Sequence, residues 1–286
     1  MSAVTLVVHN QRPNAAELAR EAAEWLSARG HEVRMPEVDA EVIGMPDLGV
    51  PDEKLAHDVA LAVSLGGDGT MLRTVDLVEE GEVPVLGVNV GLLGYLTEVE
   101  SNALTPALER FFAGDYGIED RMMLSVTIRS RRSVLDGWSF RALNEAVVEK
   151  TQSGHTVRML VRIGGDVFTS YAADGLIVAT PTGSTAYSLS ARGPIVSPRH
   201  RALLLTPVSP HMLFDRSLVL DPGETLSLEV IGHRPATLSV DGTSVGELGE
   251  GDVVDCAPAD RSARLVTFGQ RNFHRILKAK FGLSDR

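Results

Sequence analysis

The chain has a single cysteine, Cys256, among its 286 residues. A lone thiol excludes an intramolecular disulfide and leaves no second thiol for a zinc pair, which fits a reducing cytoplasm. Its own environment reads as that of a buried free cysteine. Basic charge is also scarce: 27 Lys and Arg stand against 38 Asp and Glu, a formal net charge of -11. Such a molecule repels polyphosphate backbones and anionic lipid, so neither nucleic acid nor a membrane is expected as a partner, and an anionic small substrate requires a local cationic pocket. Long apolar runs are missing. The longest uncharged stretch that could suggest a membrane, 83–97, is broken by Pro84, three glycines and Asn89, short of the ~20 apolar residues a spanning helix needs. The opening apolar run 4–8 turns polar at His9-Asn10-Gln11-Arg12, too short and too early for a signal peptide, so no export is implied. The histidines show no His-x-x-x-His or Cys-His spacing, and no protein-held metal site is expected. Fixed-period repeats and low-complexity tracts are absent, which excludes solenoids and linker-dominated architectures.

What is present is core-forming material. With 44% hydrophobic and 23% charged residues, the length suits one large or two ordinary domains. The first third alternates strand and helix. Residues 4–8 form a β-rich run, and Asn14 is expected to cap a helix that places Leu18, Ala22, Trp25 and Leu26 on one face, with Gly30 as its stop. A strand over 31–35 and an irregular loop over 44–51 follow. The apolar run 59–65 ends in Gly66, and Thr70 opens a segment with Met71, Leu72, Val75 and Val78 at helical spacing, so 66–70 reads as a strand-to-helix turn. A further strand over 85–90 runs into a loop around Gly91 and Gly94. This order predicts a parallel sheet with flanking helices. From about Arg121 the pattern turns β-rich, with runs at 124–129, 157–163, 176–179, 218–220, 226–231 and 238–240. The turn formers Asp221-Pro222-Gly223 and Asp241-Gly242 lie between them, and two packed sheets are expected. Residues 273–281 suit a short helix.

Chemistry concentrates at 66–70. Gly66, Gly67 and Gly69 are expected to take backbone conformations closed to other residues, so that amides converge on a phosphate at a helix start. Asp68 is the informative member: a carboxylate beside a phosphate cradle is unfavourable unless it binds Mg2+ or takes a proton from an attacking hydroxyl. The common alternatives are absent, since the chain has no Gly-Lys pair for a P-loop and no Gly-x-Gly-x-x-Gly.

The segment Gly66-Gly67-Asp68-Gly69-Thr70-Met71-Leu72-Arg73 resembles the signature of the NAD kinase family, in a superfamily that also holds diacylglycerol kinases and phosphofructokinases. Three further blocks are similar to NAD kinase blocks in the right order: the stretch from Leu86-Gly87-Val88-Asn89 to Gly94-Tyr95-Leu96-Thr97, then Leu143-Asn144-Glu145-Ala146, then the stretch from Asp174-Gly175-Leu176 to Thr185-Ala186-Tyr187. The resemblance implies an α/β N-terminal domain over 1–120, a β-sandwich dinucleotide-binding domain over 121–264, and a tail over about 265–286 returning to the first domain. It implies Asp68 as general base, Gly67 and Gly69 as the phosphate turn, and Arg73 as a cationic contact near substrate phosphates. Asn144 and Glu145 would recognise ribose hydroxyls. Asp174, Thr185, Ala186, Tyr187, Ser188, Leu189 and Ser190 would bind the dinucleotide, and His155 matches a contact position.

The implied activity is phosphorylation of NAD on the 2'-hydroxyl of its adenosine ribose by ATP, with Mg2+ held through the donor phosphates, in a cytoplasmic homodimer or homotetramer. Ala172, where some members carry a bulky cation, leaves room for inorganic polyphosphate as donor as well. Two positions depart from the family pattern: Arg192 stands where a glycine is usual and Thr243 where glutamine is common. Arg192 is expected to point to solvent from a widened turn, because arginine takes up glycine-only backbone angles at a cost. A lipid kinase would need an apolar entrance or basic membrane face, for which an acidic chain offers little. A non-catalytic dinucleotide sensor would not need Asp68.

Overall fold

The structure, a computed structural model, describes residues 2–9, 11–131, 133–269 and 272–283. The chain divides into two compact units, one of residues 1–120 with 263–286 and one of residues 121–262. Among the described residues no helix is long and apolar enough to cross a membrane.

The first unit contains β1 (Ala3–Val8), α1 (Pro13–Ala28), β2 (Glu32–Pro36), α2 (Glu37–Ile43), β3 (Gly49–Val50), β4 (Val59–Gly66), α3 (Asp68–Val78), β5 (Val85–Asn89), β6 (Val99–Glu100) and α4 (Leu104–Phe112). Its strands pair in parallel in the order β3-β2-β1-β4-β5-β6. All six β1 residues are buried, as expected for a central parallel strand covered on both faces. Against it α1 buries Ala15, Ala16, Ala19, Ala22, Ala23 and Leu26, and these small side chains let the helix axis lie close to Leu6, Leu61 and Val63 in one core. The strand order reverses between β1 and β4: the chain builds outward from β1 to β3, then returns to start β4 on the other side of β1. At such a reversal the loops leaving the two carboxyl ends diverge and open a crevice.

Local differences from the sequence reading have physical causes. Helix α1 starts at Pro13, with Arg12 as N-cap and no side-chain cap, so Asn14 lies inside the first turn and caps nothing. Proline's fixed φ and missing N–H make it the better first residue. Gly30 does end α1, at φ 79°, with His31 N–H donating to Leu26 O and Gly30 N–H to Ser27 O. Residues 44–51 are not wholly irregular, because Gly49 and Val50 pair with Met35 and Pro36 at the sheet edge. Helix α2, ended by Gly44 at φ 74°, was not expected. Helix α3 begins at Asp68 rather than Thr70.

The second unit is a β-sandwich. Its elements are β7 (Gly117–Arg129), β8 (Ser139–Ala142), β9 (Glu145–Lys150), β10 (Val157–Ile163), β11 (Asp166–Ala173), β12 (Gly175–Ala179), α5 (Tyr187–Ser190), β13 (Leu203–Val208), β14 (Leu218–Leu220), β15 (Leu226–Val230), β16 (Ala236–Val240), β17 (Thr243–Leu248) and β18 (Val253–Thr267). One sheet runs β14-β13-β12-β9-β16-β17, antiparallel throughout. Facing it, β11-β10-β15-β18 and the β7-β8 pair contribute Tyr171, Val161, Leu228, Val254, Cys256 and Val126 to a core shared with Val148, Val178, Leu205 and Leu238. Burial drives the Cys256 thiol pKa up, which keeps it neutral and unreactive. The hairpin between β16 and β17 turns on Asp241 and Gly242, both at positive φ, the two-residue turn that Asp-Gly favours. Residues 263–267 of β18 and the last helix, α6 (Phe273–Phe281), belong to the first unit, where Leu265 pairs with Val85.

Arg192 corrects the expectation of a widened turn. It takes φ 66° immediately after α5, with Arg192 N–H donating to Leu189 O at 3.0 Å and Gly193 N–H to Ser188 O at 2.7 Å. This is a Schellman helix end with arginine at its left-handed position, and its exposed side chain does not offset the backbone cost. Arg192→Gly is therefore expected to hold or raise stability by about 1 kcal/mol, read as an unchanged or higher melting temperature; a clear drop would contradict the strain.

Candidate active site

In the first unit a crevice of about 460 Å3 opens where the strand order reverses, lined by Val8, His9, Gln11, Arg12, Gly67, Asp68, Gly69, Thr70 and Arg73. Four sequence-predicted residues, Gly67, Asp68, Gly69 and Arg73, thus share one wall. The glycines work differently from expectation. None of Gly66, Gly67 and Gly69 has a positive φ; Gly67 is extended, at φ -126°. Gly66 is needed for space, because a Cβ there would strike the Thr70 side chain, whereas a Cβ on Gly67 or Gly69 would meet nothing within 4 Å. Those two glycines leave an open backbone face over the first turn of α3, whose amides no side chain caps. Unpaired amides at a helix start attract anions.

Asp68 sits in that first turn, where a negative charge is favoured by the helix dipole. Its Oδ2 accepts the Tyr95 N–H and its Oδ1 the Leu96 N–H, both at 2.9 Å. The placement is thus less unfavourable than the sequence suggested: two amides fix the carboxylate and leave each oxygen a further lone pair. Gly94 makes this approach possible, since a Cβ there would land on the Asp68 carboxylate. Burial and the nearby Asp68 charge raise the Tyr95 phenol pKa.

Two cations line the crevice. Arg73 forms an ion pair with Asp39, Nη2 to Oδ1 at 2.8 Å and Nη1 to Oδ2 at 3.0 Å. Arg12, not singled out from the sequence, donates from Nη1 to Val90 O. Its position right after a central strand and before Pro13 was the available signal. Asp39 gave none, as one carboxylate in an ordinary helical stretch.

In the second unit Asp241 organises the predicted ribose pair. Its carboxylate accepts three backbone amides, Leu143 at 2.7 Å and Asn144 and Glu145 at 2.9 Å. The Asp-Gly turn was legible in the sequence, but not this anchoring. Asn144 O accepts Thr180 N–H at 2.8 Å, and Gly183 packs so closely on the Asn144 carbonyl that a Cβ would overlap it. The Asn144 side-chain amide makes no hydrogen bond among the described residues. Glu145 is 7% exposed and its Oε2 has no partner there. Burial, then the Asp241 charge, push its pKa up to about 8, against a smaller opposing effect of the Tyr187 amide. At neutral pH the group is largely a neutral acid, able to donate as well as accept.

Around this pair, Asp174 Oδ1 meets Lys150 Nζ at 2.7 Å. Tyr187 is 38% exposed, and burial followed by the charges of Glu149, Asp174 and Glu145 raises its phenol pKa. Thr185 Oγ1 donates to Thr182 O at 3.2 Å, Ala186 links the short 3-10 turn Gly183–Thr185 to α5, Leu189 is half-buried and Ser190 exposed. Ser188 points inward: fully buried, its hydroxyl lies 3.0 Å from Thr206 Oγ1. His155 is exposed on the turn between β9 and β10, with no hydrogen bond to this group among the described residues, and Ala172 lies on β11, its carbonyl accepting His211 N–H at 2.7 Å. Thr243 is exposed at the start of β17. Among the described residues no three His, Cys, Asp or Glu are grouped to hold a metal.

The raised Glu145 pKa carries a stability signature. The folded state holds this proton more tightly than the unfolded chain, so the stabilisation is fully present below the ordinary glutamate value of 4.5 and is lost as pH rises through about 8. Glu145→Gln is expected to remove a component of on the order of a few kcal/mol from the pH dependence. The difference in unfolding free energy between the two proteins, measured from pH 5 to 8 without ligand, should grow in favour of the variant with rising pH. A flat difference would contradict the shift.

Comparison with known proteins places these features in a family. Residues 48–116 match the family model of the ATP-NAD kinase N-terminal domain and residues 143–268 that of the C-terminal domain. The chain is 46% identical over 282 residues to an NAD kinase of Heliobacterium modesticaldum, covering 98% of each chain, and 40% identical to one of Moorella thermoacetica, covering 98% of this chain and 89% of that one. Among solved structures, yeast NADH kinase complexed with NADH superposes with a TM-score of 0.90 at 27% identity, covering 100% of this chain and 89% of that one. An NAD kinase from Archaeoglobus fulgidus in complex with ATP, at 23% identity and a TM-score of 0.74 with all of both chains covered, shares the fold. With both domains matched, and near-complete alignment to relatives at such identity, this chain belongs to the NAD kinase family.

Proposed function

We propose that the protein transfers the terminal phosphate of ATP to the 2'-hydroxyl of the adenosine ribose of NAD, giving NADP. The observation that carries this reading is the crevice at the strand-order reversal, which joins an amide-held carboxylate, open helix-start amides and two guanidinium groups, in a chain 46% identical to an NAD kinase. Asp68 is the general base. With each oxygen already fixed by one amide, a remaining lone pair accepts the proton of the attacking hydroxyl as the new O–P bond forms and the bond to ADP breaks. The amides beside Gly67 and Gly69, with Arg73, hold phosphate oxygens, so most of the acceleration is positioning and charge stabilisation.

Asn144 and Glu145 read the ribose hydroxyls: an unused amide next to a neutral carboxyl with one oxygen unpartnered offers both donors and acceptors to a diol. Asp174, Thr185, Ala186, Tyr187, Leu189 and Ser190, with His155, form the dinucleotide contacts, Tyr187 offering a ring face to a base. Ser188 contributes through its backbone, because its hydroxyl is engaged with Thr206. Mg2+ suits hard oxygen ligands; the donor's own phosphates, beside Asp68, would hold it, and when bound it neutralises their charge. Polyphosphate presents the same terminal group, and the small Ala172 leaves room for it. A buried free thiol fits a cytoplasmic protein. A homodimer or homotetramer is supported by exposed apolar side chains on the second unit, Val167, Phe168 and Leu213.

NADP formation from NAD, Mg2+ and ATP or polyphosphate, read with an NADP-specific dehydrogenase, tests the reading. Asp68→Asn should lower kcat by about 10^2 to 10^4 while NAD binding persists. Folded protein that binds NAD but forms no product with either donor would favour the sensor. Chelation of divalent metal is expected to abolish turnover and added Mg2+ to restore it.

A further inference from the structure

Asp39 is a fully buried carboxylate on α2, outside every motif that marks the site. A charge at that depth is tolerated only when hydrogen-bonded and paired, and two of its partners, Val8 and Arg73, line the crevice. Its Oδ2 accepts the Val8 N–H at 2.8 Å, at the carboxyl end of β1, and its two oxygens take the Nη1 and Nη2 end of Arg73. A guanidinium carries five N–H donors in one plane. The Asp39 contacts use one from each terminal nitrogen, and Val8 O lies 3.4 Å from Nη1. That leaves the parallel pair on Nε and Nη2, for which no acceptor exists among the described residues. Arg73 is 36% exposed and lines the crevice, so this second edge is reachable.

We infer that Asp39 is a positioning residue: by holding one end of the Arg73 guanidinium it presents the Nε/Nη2 edge to two phosphate oxygens of a bound substrate. The inference deepens the proposed function and rests on it for the identity of the substrate. Two sources offer the same chemistry, the polyphosphate chain of ATP and the pyrophosphate of NAD. A bidentate guanidinium–phosphate contact depends on plane as well as charge, and side-chain rotation about the Arg73 stem would otherwise lose the alignment.

The test is kinetic and uses Arg73→Lys, Asp39→Asn, Arg73→Gln and the Asp39→Asn/Arg73→Gln double variant of the full chain. Lysine keeps a charge for the buried carboxylate but has no second edge. Arg73→Lys is therefore expected to fold, and to raise KM for one substrate about tenfold or more with kcat changed far less. A rise for ATP assigns the edge to the donor, a rise for NAD to the pyrophosphate. Asp39→Asn should raise the same KM, yet add little to Arg73→Gln, because its effect passes through that side chain. Wild-type KM values in Arg73→Lys, or an Asp39→Asn penalty of the same factor in both backgrounds, would overturn the inference. Calorimetric titration of each protein with NAD and with inorganic tripolyphosphate reads the same weakening without turnover. A wild-type protein that binds these ligands but forms no NADP would refute the proposed function while leaving the Asp39 result legible.

Discussion

The reversal of strand order between β1 and β4 is the constraint on which the first unit's chemistry depends. Parallel strands send all their carboxyl ends to one edge, and the reversal leaves the loops after Val8 and Gly66 without a connection to cover the gap. The start of α3, the Arg12 turn and Arg73 all face that gap because each follows one of these two strands. The buried, nearly charge-free strands and the alanine face of α1 keep this edge rigid, so the amides of the α3 start are held in place before any ligand arrives.

Three aspartates use one physical device. Asp68 binds the amides of Tyr95 and Leu96, Asp39 the amide of Val8, and Asp241 those of Leu143, Asn144 and Glu145. Each carboxylate ties a loop or strand end from a distant part of the sequence to the segment that carries the chemistry. Charge-assisted hydrogen bonds of this kind are stronger and more directional than neutral ones, which suits loops and strand ends, where the regular ladder stops. Glu145 shows the complementary case: a carboxyl buried beside Asp241 with one oxygen unpartnered, a placement that is unfavourable for folding and is supported by the rigid sheet behind it.

Much of this was readable from the chain alone. The spacing of apolar residues located β1, β4 and β10 almost to the residue, because their burial follows from it, and Gly30, Gly66 and the Asp-Pro-Gly and Asp-Gly turns marked the ends of α1, β4, β14 and β16. The four ordered blocks identified the family, since they preserve the residue types a phosphate turn and a diol site demand. The β-sandwich was legible as a class from short β-branched runs between turns.

Tertiary structure alone decided the rest. Helix α2 has only seven residues and takes its stability from packing and its Gly44 stop, so its periodicity was too brief to read. Whether Gly66 serves backbone freedom or mere space depends on where Thr70 lies, one helical turn away. Arg192 adopts a glycine's backbone angle because the hydrogen bonds of a helix end over-determine it. The partnership of Asp39 with Arg73, the inward turn of Ser188 and the anchoring role of Asp241 join residues far apart in sequence, through contacts that no local spacing encodes. The sequence determined which chemistries this protein can perform; the fold decided which side chain holds which.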